Sequence, residues 1–291
     1  MTRYSRRDFL KTGIAVGALA GTGTLQAERE TATDWVTLGR SNVKVTRLAF
    51  GTGSFSGQVQ RDVGQEGFTK LVRHAYDRGI RFFETAESYR GMHEMLGVAL
   101  QGIPRESYRL MTKVTTHEGV DPQAKIDELR KMAKTEYFDI VLLHWQHTST
   151  WPADTSRWQD GILEAQQKKV VVGRGASVHG LPALRQMPGN EWLQVAMIRV
   201  NHTGARMDAE DYNTTGLGNV GEVVTHVRQV RKEGMGVVSM KLVGEGTFDH
   251  KDRQAAMRFA FRNAGVNCVT VGYKATGEID EAIENLNLAL A

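Results

Sequence analysis

Four side chains in this 291-residue sequence are of types that do acid–base chemistry when brought together: Glu84, Tyr89, Lys113 and His144. Glu84 closes the mostly apolar run Ile80-Arg81-Phe82-Phe83, and Tyr89 lies five residues on. Lys113 ends the run Arg109-Leu110-Met111-Thr112, and His144 ends Ile140-Val141-Leu142-Leu143. A phenol gives and takes a proton, a carboxylate and an ammonium shift its pKa, and an imidazole hydrogen-bonds a reacting oxygen. Singly, each has a plainer reading: a solvated Glu, a half-buried Tyr, a Lys at a strand end, a core His. What joins them is position, since each follows a run that reads as a buried strand.

The elements that would carry them follow from periodicity. Residues 33–47 alternate apolar and polar about Gly39-Arg40-Ser41-Asn42, which predicts a hairpin. Strands are then predicted at 48–51, 80–83, 109–113, 140–144, 170–177, 195–201, 236–240 and 266–271. Between them fall helical patterns, the clearest being Phe68, Leu71, Val72, Ala75 and Tyr76 on one face. Asp121-Pro122 supplies a capping residue and a first-turn proline for another helix. Residues 202–221, rich in Gly, Asn, Asp and Thr, are predicted to be a long loop of functional length. Eight strands alternating with helices, with no internal linker, predict the α/β class: a single (β/α)8 TIM barrel with an N-terminal β-hairpin, over residues 32–291. An open doubly wound sheet is the alternative. Its glycine fingerprint would have to be Gly51-Thr52-Gly53-Ser54-Phe55-Ser56-Gly57, where the third glycine is one place late and a polar loop is expected to follow. Those glycines read instead as a barrel loop close to a ligand. In a barrel the chemistry sits at the C-terminal ends of the strands, so all four candidates fall on one rim.

Composition narrows the partners. Ser5-Arg6-Arg7-Asp8-Phe9-Leu10-Lys11, followed by a Gly/Ala-rich weakly apolar stretch, is similar to the twin-arginine export signal. It predicts a signal peptide over residues 1–27, cleaved after Ala27, with an uncleaved anchor as the alternative. The resemblance implies the twin-arginine translocation machinery as a partner and a periplasmic or otherwise extracytoplasmic protein, exported folded. Without those residues the chain holds 33 basic and 32 acidic side chains. No nucleic acid partner is indicated by so even a balance. Cys268 is the single cysteine, which excludes an intramolecular disulfide. His144 and His147, with His117, His179 and His202, lack the spacing of a metalloprotease or zinc site, and no metal is predicted. Trp145, Trp151 and Trp158 are placed either near the mouth, as stacking surfaces, or in the wall.

The motifs resemble the aldo/keto reductase superfamily from about Val36 onward. They are Gly79-Ile80-Arg81-Phe82-Phe83-Glu84-Thr85-Ala86-Glu87-Ser88-Tyr89-Arg90-Gly91, then Thr112-Lys113, then Leu142-Leu143-His144-Trp145. The resemblance implies an NAD(P)-dependent oxidoreductase that interconverts a carbonyl and an alcohol on a small-molecule substrate. By it Tyr89 is the general acid, Lys113 lowers the phenol's pKa, His144 orients the carbonyl, and Glu84 holds Lys113. NADP is the expected cofactor, with NAD possible, held by Thr52, Ser177, Lys241, Tyr273 and Lys274. The chain departs from the family pattern at four places. Glu84 stands for Asp, Val178 for the Asn after Ser177, Met197 for a Gln, and Met240 and Lys241 stand where a stacking Tyr is usual. These losses favour an alternative, a catalytically diverged barrel serving as a nucleotide- or carbohydrate-binding or sensing module. Oligomeric state is not legible.

Overall fold

The computed structural model describes residues 29–291, so the predicted signal segment and its cleavage point after Ala27 lie outside the described residues. Two short antiparallel strands come first, β1 (Trp35–Thr37) and β2 (Lys44–Thr46), with Val36 opposite Val45. Eight parallel strands follow: β3 (Leu48–Gly51), β4 (Phe82–Glu84), β5 (Arg109–Val114), β6 (Phe138–Gln146), β7 (Val171–Val178), β8 (Val195–Arg199), β9 (Gly236–Met240) and β10 (Cys268–Gly272). They close in sequence order, with β10 pairing back onto β3. This is the predicted barrel with its hairpin.

The helices are α1 (Gln58–Asp62), α2 (Gly64–Asp77), α3 (Met92–Ala99), α4 (Pro122–Met132), α5 (Trp151–Asp154), α6 (Ser156–Gln167), α7 (Leu181–Leu184), α8 (Val220–Lys232), α9 (His250–Arg258) and α10 (Thr276–Leu290). Helix α2 buries Phe68, Leu71, Val72 and Ala75, the stripe its spacing predicts. Helix α4 starts where its signals lie, with the Asp121 carboxylate accepting the Ala124 N–H at 2.8 Å and Pro122 in the first turn. Among the described residues no helix is long and apolar enough to cross a membrane.

Strand alternation sorts the core into two shells. Phe50, Phe83, Leu110 and Val141 point outward to the helices, whereas Ala49, Phe82, Met111, Ile140, Leu142, Val195, Met197 and Cys268 fill the barrel. Leu38, Val43 and Val45 of the hairpin join the inner shell. They do so at the N-terminal end: a Cβ on Gly236, the first residue of β9, would lie 2.5 Å from the Leu38 carbonyl carbon. The hairpin therefore closes the barrel floor and leaves the opposite mouth for chemistry.

One expectation is corrected. The polar stretch after Gly57 is not a loop but the short α1, started by Gly57 at φ 83°. Helix α9 passes after Arg258 into a wider π-type coil, Phe259–Ala264, ended by Gly265 at φ 80°. Of the three tryptophans considered for the mouth, Trp151 and Trp158 are buried in the wall and Trp145 is 45% exposed. The long loop after β8 ends at Asn219, whose side chain caps α8. It is pinned internally by an Ala205–Leu217 bridge and by Asp208, which pairs with Arg199.

Candidate active site

The alternation that packs the inner shell also aims the reactive groups. Glu84 is two residues beyond inward-facing Phe82, Lys113 two beyond Met111, and His144 two beyond Leu142. Each strand's apolar interior thus ends in a polar group facing the mouth. Lys113 is 0% exposed and Glu84 2%, and the ammonium donates to Glu84 Oε1 and, at 3.0 Å, to the Thr85 carbonyl. Thr270, on β10 two residues beyond Cys268, donates to the other Glu84 oxygen at 3.3 Å. Breaking a buried ion pair by removing one partner costs about 3–5 kcal/mol, because the other charge is left without compensation.

Tyr89 reaches the same place from the β4–α3 loop. Its N–H donates to the Ala86 carbonyl at 3.0 Å, a tight turn that brings the ring back over the strand ends. The Lys113 ammonium lies 4.7 Å from the centre of the Tyr89 ring, over its face, and the His144 ring stands edge-on to it at 5.7 Å. The Ser88 hydroxyl is 3.2 Å from His144 Nδ1. Glycine at position 53 is required here, since a Cβ would lie 2.6 Å from the Tyr89 hydroxyl oxygen. Gly51 is similarly confined, its Cβ position lying 2.6 Å from Thr270 Oγ1. Strand β6 becomes irregular beside His144. The β6–β7 register shifts between Leu143 and Gln146, with Trp145 at φ 58°. Bulges of this kind re-aim side chains beside active sites.

Burial sets the charge states. It pushes the Tyr89 phenol well above the ordinary tyrosine value, and the carboxylates of Glu84 and Glu245 add to the effect. Lys113 is lowered by burial, against which Glu84 holds its charge. His144 falls well below the usual histidine value through burial and the cations of Lys113 and Lys241, so it is neutral at pH 7. These effects act opposite to the lowering of the phenol's pKa expected from Lys113. The ammonium is neutralised by Glu84 and lies over the ring rather than at the hydroxyl.

Two cavities share the wall formed by Ser54, Val243, Glu245, Val271 and Gly272. The narrower, of about 70 Å³, is lined by Glu84 and Tyr89 together with Met197, Met240, Lys241 and Glu245. The wider, of about 460 Å³, runs outward to Tyr273 and Lys274 at the start of α10. Glu84, Tyr89 and Lys241 thus meet at one cavity, and Tyr273 and Lys274 at the other. Lys113, His144, Thr52 and Ser177 line neither, although Lys113 and His144 pack directly on Tyr89. Thr52 Oγ1 and Ser177 Oγ are buried without a hydrogen-bond partner, as is the Tyr273 hydroxyl. Sequence reasoning missed Glu245 and Thr270. Thr270 is detectable as the second inward position of its strand. Glu245 lies in the irregular β9–α9 segment and pairs with Lys241 and Arg206, which no spacing rule reveals. Among the described residues no three His, Cys, Asp or Glu side chains cluster as metal ligands.

Comparison with known proteins agrees with this geometry. Residues 3–23 match the TAT (twin-arginine translocation) pathway signal sequence. Among solved structures, a Pseudomonas aeruginosa protein assigned to the aldo-keto reductases superposes with a TM-score of 0.72 at 20% identity, covering 90% of this chain and 98% of that one. An aldo-keto reductase from Klebsiella pneumoniae in complex with NADPH gives 0.65 at 15% identity, covering 89% and 90%. Among curated proteins, a probable aldo-keto reductase of Glycine max is 29% identical over 172 residues, 52% of this chain and 50% of that protein. L-Galactose dehydrogenase of Arabidopsis thaliana is 33% identical over 117 residues, 37% of this chain and 36% of that protein. The chain spans half or less of the length of these two curated relatives. Residues 47–287 match the aldo/keto reductase family. With a closed eight-stranded barrel and a match over most of its length, the chain belongs to the aldo/keto reductase family.

Proposed function

We propose that this protein interconverts a small-molecule carbonyl compound and the corresponding alcohol with a nicotinamide dinucleotide. The observation that carries the reading is the meeting of Tyr89, Glu84, Lys113 and His144 at one rim beside a cavity. Tyr89 holds the proton that a carbonyl oxygen takes up. His144 is neutral, and a Ser88 hydroxyl donating to Nδ1 leaves Nε2–H as a donor toward the same oxygen. Lys113 and Glu84 form a buried pair that braces the face of the phenol and excludes water beneath it. Gly53 leaves room for the hydroxyl.

The residues present fit a dinucleotide. A narrow cavity beside Tyr89 shares a wall with a wider outer one, as an elongated ligand with a flat reactive end requires. Of the buried unpartnered hydroxyls, that of Tyr273 belongs to a residue lining the wider cavity, whereas Ser177 and Thr52 lie outside both cavities. Lys241 lines the narrow cavity, and Lys274 the wide one. When bound, the nicotinamide supplies or accepts the hydride. Met197 and Met240, standing where a Gln and a stacking Tyr are usual, line the narrow cavity and would cover a flat ring with adaptable apolar surface.

The match to a twin-arginine signal supports removal of residues 1–27 and delivery of the 32–291 barrel outside the cytoplasm. The test is reduction of a panel of small aldehydes, ketones and aldoses by wild type and by Tyr89→Phe. Wild type should be active and the variant slower by about 10²–10⁴-fold, the range of general acid–base catalysis. The two methionines also suit a catalytically diverged nucleotide- or carbohydrate-binding barrel. Ligand binding with no turnover in either protein selects that second reading.

A further inference from the structure

Given the dinucleotide reading above, we infer that the outer groove is built for NAD(H) and rejects the 2′-phosphate of NADP(H). The wider cavity is lined by two cations, Arg253 and Lys274, and three carboxylates, Glu245, Glu278 and Glu281. Arg253 is committed. Its Nε donates to Glu281 Oε1 at 2.7 Å and its Nη2 to Oε2 at 3.1 Å. Glu245 is taken by Lys241 and by Arg206, the latter at 3.4 Å. Among the described residues this leaves the Lys274 ammonium as the one cation of that wall without a carboxylate partner.

The remaining anion-binding feature, the N-terminus of α10, is filled from within. The Lys274 N–H donates to Glu278 Oε2 at 2.9 Å, so a first-turn carboxylate already sits where the helix end favours negative charge. A phosphate monoester would bring a further charge of about −1.5 to −2 against it. A ribose diol is the opposite case, because its hydroxyls donate and Glu278 has lone pairs to accept them. The same logic operates in doubly wound dinucleotide folds, where an acidic side chain takes the ribose 2′-hydroxyl and an arginine accommodates a 2′-phosphate. The expected order, NADP before NAD, is thereby reversed.

The experiment is a fluorescence titration of the purified chain with NADH and, separately, NADPH at the same ionic strength. NADH should bind tighter by about tenfold or more. NADPH binding as tightly or more tightly overturns the preference and leaves the oxidoreductase reading standing. Binding of neither removes both. Glu278→Lys, with Glu278→Gln as the milder change, should tighten NADPH by about tenfold, and the Lys variant should also weaken NADH, whose ribose diol loses its acceptor. If both variants fold and NADPH affinity does not rise, Glu278 is not the discriminating group.

Discussion

Tyr89 keeps its proton chiefly because burial penalises the phenolate. Glu84 and Glu245 both disfavour a phenolate, and Lys113, over the ring face, is paired with Glu84. The phenol's folded-state value lies above its ordinary 10.0, so the protonated form persists through neutral and mildly alkaline pH. In the proposed reaction reduction uses that form, and alcohol oxidation the deprotonated one. Reductive kcat/KM should therefore stay flat up to about pH 9, while oxidative kcat/KM climbs with pH over the same range. A reductive limb that falls with an apparent pKa near 7 or 8 would show a different group supplying the proton. The residues in this argument differ in how readable they are. Glu84, Lys113 and His144 announce themselves by ending apolar runs. Gly53 does not, because its role is to make room for a side chain that arrives from a different loop.

At the level of elements, alternation along strands and stripes along helices were read correctly because both are local. Errors came where packing overrode local pattern. The polar 58–62 segment is helical because Gly57 turns it back toward the barrel, and no apolar stripe advertises a helix of five residues. The bulge in β6 is equally silent, since a Trp at φ 58° is imposed by its neighbours. Left-handed positions held by ordinary residues also mark places where stability can be raised. Helix α4 ends in a Schellman-like turn, with the Lys134 N–H on the Lys131 carbonyl at 3.1 Å and the Thr135 N–H on the Arg130 carbonyl at 3.0 Å. Lys134, exposed, stands at φ 50° in that turn. Lys134→Gly removes a Cβ crowding of about 1–2 kcal/mol, offset in part by the freer unfolded chain. The net gain should raise Tm by about 2–4 °C. A lower Tm by calorimetry would mean that the turn is not under strain.

Across the whole molecule, the hairpin floor, the closed sheet and the helical shell leave one open end. Cys268, 0% exposed, lies in the inner shell, and burial pushes its thiol well above the usual range. It is the single thiol of the chain, so its labelling reports opening of the barrel itself. A thiol reagent should leave the native protein unmodified and react with a denaturant midpoint that coincides with loss of circular dichroism. Rapid labelling of native protein would show the barrel seam to open separately from the rest. The order of strands and helices, the export signal and the inward aim of Glu84, Lys113 and His144 were fixed by the sequence alone. Each depends on residues close together in the chain, through period-two and period-3.6 spacing or a contiguous motif. The seating of Lys113 over the face of the phenol, the carboxylate wall around Lys274 and the space left by Gly53 were decided by tertiary structure. Each is a contact between groups far apart in sequence, and electrostatics and sterics act through distance in space, which spacing along a chain does not encode.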